Sequence, residues 1–168
     1  TAIMKDRLYL IDGTALLYRA FFAFIRNPLI NSKQENTSAL FGVLNSFMAL
    51  IDKMEARYLA ISFDRKAPTF RHNYYSAYKA NRPPMPDDLA AQIAPVIEFF
   101  SLVGVAQVGA DGYEADDALA TLGEHYRSAY DIIYVTSDKD YCQLVGEGST
   151  LYDPMKDVML DTEAMIKK

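Results

Sequence analysis

The feature that most constrains this chain is that its short apolar runs end on acids. Arg7–Asp12 (RLYLID) and Tyr58–Asp64 (YLAISFD) each read as a buried strand finishing in an aspartate. Ile132–Thr136 (IIYVT) leads into Asp138 and Asp140, and Val105–Val108 leads into the acidic segment Asp111–Asp117. Between these runs lie stretches with apolar residues at helical spacing. They predict helices from Thr14 to about Phe24, over Ser38–Met54 with Thr37 or Ser38 as cap, from about Asp87 to Val103 with Gly104 as C-cap, and from Asp116 to about Ser128. Pro95 is expected to kink the third helix or to mark its true start. Thr150–Tyr152 and Val158–Leu160 are placed to pair as a hairpin across Pro154–Asp157. Strands alternating with helices predict a single α/β domain over residues 1–168, three layers deep, with a mainly parallel central sheet and helices on both faces. Ligands of such sheets bind beyond the carboxyl ends of the strands. Asp12, Asp64, Glu114, Asp116, Asp117, Asp138 and Asp140 are therefore expected on one edge.

Bare, that cluster repels itself and holds some acids protonated. It makes chemical sense with hard cations, and carboxylate-rich sites suit Mg²⁺ or Mn²⁺. Two ions about 4 Å apart clamp an in-line displacement at phosphorus, one activating water and the other stabilising the leaving oxygen. Taken singly, each acid has a plainer reading: Asp12 as a helix cap, Asp116 and Asp117 as first-turn acids, Asp138 and Asp140 as turn residues. Asp52, Asp87, Asp88, Asp131 and Asp161 are read as caps, turns and solvated faces. An aspartyl phosphatase needs a second Asp where Thr14 stands, and a receiver domain needs an acidic pair where Ile11 precedes Asp12. No phosphate-binding glycine motif is present.

Residues 65–82 (RKAPTFRHNYYSAYKANR) carry Arg65, Lys66, Arg71, Lys79 and Arg82 with no acid among them. Phe70, Tyr74, Tyr75 and Tyr78 are interleaved, a mixture suited to phosphates and unpaired bases. This segment shows no clear apolar periodicity, and Pro83, Pro84 and Pro86 follow it. His72 and His125 are read as surface or hydrogen-bonded residues. The net charge of −5 is unusual for a nucleic-acid binder, an objection that bound divalent cations weaken. The lone Cys142 excludes an intrachain disulfide and reads as a small buried hydrophobe in a reducing compartment. No stretch nears the roughly 18 apolar residues of a membrane span, and Thr1–Arg7 lacks the apolar core of a signal peptide. A cytoplasmic location is expected, with Met4 as native start and Thr1–Ile3 as an added leader.

Four stretches in order, LIDGTALLYRAFFA (Leu10–Ala23), FDRKAPTFRHNYYSAYKANR (Phe63–Arg82), GYEADDALATL (Gly112–Leu122) and VTSDKDYCQL (Val135–Leu144), resemble the amino-terminal 5′-nuclease domain of bacterial DNA polymerase I, within the flap endonuclease family. The resemblance implies a PIN-like fold and two-metal hydrolysis of DNA at 5′ ends and 5′ flaps, in replication and repair. It implies a first cation group at Asp12, Asp64, Glu114 and Asp116. A second is implied at Asp138 and Asp140, with Asp116 or Asp117 between. Arg71 and Lys79 match basic residues that reach the scissile phosphate. Arg82 resembles a further phosphate contact, and Tyr18 an aromatic that stacks on the nucleotide near the cut. Arg19, Tyr75 and Tyr78 are added as expected DNA contacts. The family continues into a helix-hairpin-helix module that binds duplex and supplies further aspartates. This chain stops at Lys168, so a fragment of a longer protein is expected. The alternatives are a DNA-holding module with little cleavage and an RNA-cleaving relative of the same fold.

Overall fold

The computed structural model describes residues 4–66 and 68–166, so the Thr1–Ile3 leader lies outside the described residues. β1 (Asp6–Asp12) and β4 (Tyr130–Val135) form the centre of a six-stranded sheet ordered β3-β2-β1-β4-β5-β6. β1 pairs in parallel with both β4 and β2 (Tyr58–Ser62). β3 (Ala106–Val108) lies outside β2, and β5 (Ser149–Asp153) outside β4, both parallel. The hairpin is as expected: β6 (Val158–Leu160) returns antiparallel, with Tyr152 opposite Met159.

A strand with parallel neighbours on both sides is covered on both faces and so reads as a continuous apolar run. Leu8, Tyr9, Leu10 and Ile11 are all buried. Their side chains alternate between two cores, as a period of two requires. Tyr9 and Ile11 join Ile61, Ile133 and Val135 beneath α1 (Gly13–Ala23), α2 (Ser38–Met54) and α4 (Asp87–Leu102), which contribute Leu16, Phe21, Val43, Leu50, Leu89, Val96 and Phe100. Leu8 and Leu10 join Ala60, Ile132, Tyr134 and Leu151 against Leu119 of α5 (Ala115–Tyr126) and Tyr141 of a 3₁₀ helix, Lys139–Leu144. Three layers result, with the thicker helical layer on one face. Half-buried Cys142 packs on the second core. Among the described residues, no helix is long and apolar enough to cross a membrane.

Three local details depart from the sequence pattern. Helix α4 starts at Asp87 and runs through Pro95, so Pro95 does not mark its start. Pro95 and Ala91, the residue whose carbonyl loses its partner, are both on the exposed side, where water replaces the missing bond. A short helix, α3 (Phe70–Tyr74), forms within the segment that lacks periodicity, opened by the Thr69 N–H donating to His72 Nδ1 at 3.1 Å. A terminal helix, α6 (Thr162–Ile166), follows Asp161, whose carboxylate accepts from the Ala164 N–H.

Gln92 ties two helices together. Thr37 makes no side-chain cap on α2. Instead the Leu40 N–H in its first turn donates to Gln92 Oε1 of α4 at 3.0 Å, and Gln92 Nε2 donates to the Asp88 carbonyl at 2.9 Å. Gln92 is buried. Gln92→Leu strands that N–H away from water and is expected to cost about 1–3 kcal/mol in urea unfolding.

Candidate active site

The sheet reverses its strand order between β1 and β4, and the residues that follow these two strands meet at the carboxyl edge. A cleft of about 980 Å³ opens there. Asp12, Asp64, Glu114, Asp116 and Asp138 line it, together with Tyr18, Lys79 and Arg82.

Asp12, Asp64, Asp116 and Asp138 each accept from a backbone N–H. Asp12 ends β1 and caps α1, accepting from the Ala15 N–H at 3.0 Å. Its plain role as a cap and its place in the cleft thus coexist. Gly13 follows without a side chain, and a Cβ there would collide with the Phe63 ring. Asp64 accepts from the Ala115 N–H at the start of α5 at 2.8 Å, while its own N–H donates to Thr14 Oγ1 at 2.8 Å. Asp64 therefore joins both helical layers. Asp116 accepts from the Asp117 N–H, and Asp138 from the Asp140 N–H, each at 2.9 Å.

The basic segment folds onto α5. Arg71 grips Asp117 with both Nη atoms, at 2.7 and 2.8 Å, and reaches Glu114 at 3.2 Å. Lys79 pairs with the other Glu114 oxygen, and the Tyr78 hydroxyl donates to Glu114 at 3.2 Å. Lys79 adopts a left-handed backbone, φ 56°, a conformation that costs a non-glycine residue about 1–2 kcal/mol. Bonding to Arg71 holds the Asp117 carboxyl below the usual range. Burial opposes the charge on Lys79, but Glu114 outweighs it and the pKa is raised. Glu114, Asp116 and Asp117 present oxygens within 4.8 Å of one another, a spacing that could hold a cation. Among the described residues, no Lys or Arg lies within ion-pair distance of Asp12, Asp64, Asp116 or Asp138. Burial is the main cause that pushes Asp12 up to about 6, against the pull of the Ala15 N–H. Asp64 and Asp138 add repulsion. Asp116 is raised by burial and by Asp117 and Glu114.

The sequence-derived site residues do not all meet in the cleft. Asp117 is turned to Arg71, and exposed Asp140 is not among the lining residues. Exposed Arg19 and Tyr75 do not line it either, while Tyr78 is engaged with Glu114. Tyr18 lies near-parallel to Phe22, 6.4 Å between centroids, and both line the cleft. Phe22 and Thr14 also line the cleft and were not singled out from sequence, nor was Tyr141, which is buried and does not line it. Thr14 was legible as a polar residue just after a strand-end acid. Phe22 and Tyr141 resemble ordinary core aromatics.

A family model described as the 5′-3′ exonuclease, N-terminal resolvase-like domain matches residues 7–168. A "5′-3′ exonuclease" of Aquifex aeolicus is 39% identical over 96% of this chain and 55% of its own length. A "DNA polymerase I" of Treponema pallidum is 41% identical over 84% of this chain and 14% of its own. The chain thus spans about half the length of the first and a small part of the second. The fold is shared with the T5 D15 protein crystallised with metal ions, at TM-score 0.71 and 21% identity over 96% of this chain and 60% of that one.

The raised Asp12 has a measurable consequence. Its folded pKa, about 6, lies above its unfolded value of 3.8, so its penalty is absent below 3.8, develops as pH rises to about 6, and is full above. In EDTA at pH 7.5, Asp12→Asn keeps a capping side chain and removes that penalty. Urea unfolding should show the variant more stable by up to about 3 kcal/mol, with the gain shrinking as pH falls towards 4.

Proposed function

The chain belongs to the family of 5′-3′ exonuclease N-terminal, resolvase-like domains, and on that premise we propose that it hydrolyses DNA phosphodiester bonds at 5′ ends and 5′ flaps. It does so in replication and repair, as the single amino-terminal domain of a longer, cytoplasmic protein in which a duplex-binding module follows. The observation that carries this is the set of cleft acids that have no basic partner among the described residues, Asp12, Asp64, Asp116 and Asp138. An all-oxygen donor set in which burial, reinforced by neighbouring carboxylates, raises Asp12 and Asp116 suits Mg²⁺ or Mn²⁺. Asp12, Asp64, Glu114 and Asp116 would hold one ion. Asp138 and Asp140, with Asp116 or Asp117, would hold the other. When bound, such ions supply Lewis acidity and a water of lowered pKa.

The remaining chemistry belongs to the chain. Arg71 and Lys79 now neutralise Glu114 and Asp117. They compete for oxygens that a cation would use, and once released they stand beside the cleft to meet phosphate charge as it builds. Arg82, exposed on the cleft wall, and Arg19 bind the strand backbone. Tyr18 and Tyr75 offer ring faces to unpaired bases, and Tyr78 does so when it leaves Glu114. The T5 protein has been crystallised with DNA and metal ions in the corresponding fold.

A labelled 5′-flap duplex with Mn²⁺ tests the proposal. Cleavage should require the metal and be abolished by Asp64→Ala. Cleavage that Asp64→Ala leaves intact would sink it. Salt-sensitive DNA binding without metal-dependent cutting favours a DNA-holding module, and faster cutting of RNA favours the RNA-cleaving branch. Arg71→Ala and Lys79→Ala should each lower kcat by about 10²–10³-fold, measured under single-turnover conditions, with a smaller change in flap affinity.

A further inference from the structure

Tyr141 is one of the largest fully buried side chains, only 1% exposed. It sits in the 3₁₀ helix directly after Asp140, and its ring packs on Tyr134 with centroids 5.7 Å apart. Packing accounts for the ring and leaves the hydroxyl unexplained. Buried, it has no hydrogen-bond partner among the described residues. A buried tyrosine normally finds one, and an unmet buried hydroxyl carries the full desolvation cost of the group. Phenylalanine would fill the same space without that cost.

The surroundings of the hydroxyl are specific. The charges that bear on it are Asp12 of β1, Asp116 of α5 and Asp138, the N-cap of the 3₁₀ helix that carries Tyr141, all cleft-lining carboxylates. A phenol carries its own O–H, so towards these carboxylate acceptors it acts as a donor. Asp12 is near enough to be influenced by Tyr141 in return, although no hydrogen bond of good geometry has formed between them. One Asp12 oxygen is already engaged by the Ala15 N–H.

We infer that Tyr141 is a positioning residue of the cleft, whose buried, unpartnered hydroxyl donates to the Asp12 carboxylate when that carboxylate turns to hold a divalent cation. The inference rests on the proposed reading of the cleft as a cation site. Groups that hydrogen-bond a ligating side chain fix its orientation, and losing them typically weakens metal binding by about 10–100-fold. The unmet hydroxyl thus has a purpose in the loaded site that it lacks in the free one.

Tyr141→Phe keeps the ring and removes only the donor. Mn²⁺ binding is measured by titration calorimetry or by the electron-spin signal of free Mn²⁺, and thermal unfolding is followed in EDTA and in Mn²⁺. The variant should unfold in EDTA at the wild-type temperature or above it. It should bind Mn²⁺ about 10–100-fold more weakly, and its Tm should rise less on adding Mn²⁺. Unchanged Mn²⁺ affinity overturns the inference. So does a lowered Tm in EDTA with an unchanged Mn²⁺ response, which marks Tyr141 as structural only. Failure of the underlying reading looks different: the wild type takes up no Mn²⁺, or its uptake is indifferent to Asp64→Ala, and both ideas fall together.

Discussion

The repulsion among carboxylates gathered at one sheet edge is the constraint to which the rest of the structure answers. A parallel sheet delivers Asp12 and Asp138 to that edge from its two central strands, and Asp64 arrives just beyond β2. Left alone, such charges would push the strand ends apart. Three devices oppose that. Backbone N–H groups of helix starts bind Asp12, Asp64 and Asp116. Arg71 and Lys79 neutralise Glu114 and Asp117. Asp12 stays partly protonated, with its pKa pushed up to about 6. Only the second device balances charge with charge, and it reaches only the α5 side of the cleft.

How the acids divide follows from this arrangement. Seen in sequence, Glu114, Asp116 and Asp117 form one acidic turn, with equal claims on a cation. In space Asp117 is bonded at both oxygens to Arg71, while Asp116 has no basic partner among the described residues. Adjacent residues on one helix turn therefore have opposite pKa shifts. The helix directs neighbouring side chains about 100° apart, so one meets the basic segment and the other the cleft.

The sheet and its acids were legible in sequence because they depend on local pattern. Leu8–Ile11 and Ile132–Val135 are apolar without interruption, as a doubly covered strand requires, and the order of strands and helices then puts Asp12 and Asp138 on one edge. Features that depend on contacts distant in sequence were not legible. Helix α3 has no buried residues and so no apolar period to detect. The Arg71–Asp117 pair spans 46 positions. Pro95 is tolerated because its side of α4 faces water, and no local pattern states that in advance. Tyr141 was hidden for another reason: its ring looks like core, and the hydroxyl becomes informative only once its neighbours are known.

The two banks of the cleft also differ in how they open. Strand β1, which carries Asp12, is hydrogen-bonded on both sides and buried from Leu8 onward. Amides in such a strand exchange with solvent deuterium only when the whole domain unfolds. The opposite bank rests on residues 69–82, whose helix α3 buries none of its residues; the Arg71 and Lys79 ion pairs hold this segment, with the Phe70 N–H donating to the Gly112 carbonyl. Segments of that kind exchange by small local fluctuations. One wall of the cleft therefore keeps its shape on every timescale short of unfolding, while the other rearranges as soon as its ion pairs are traded for different ones.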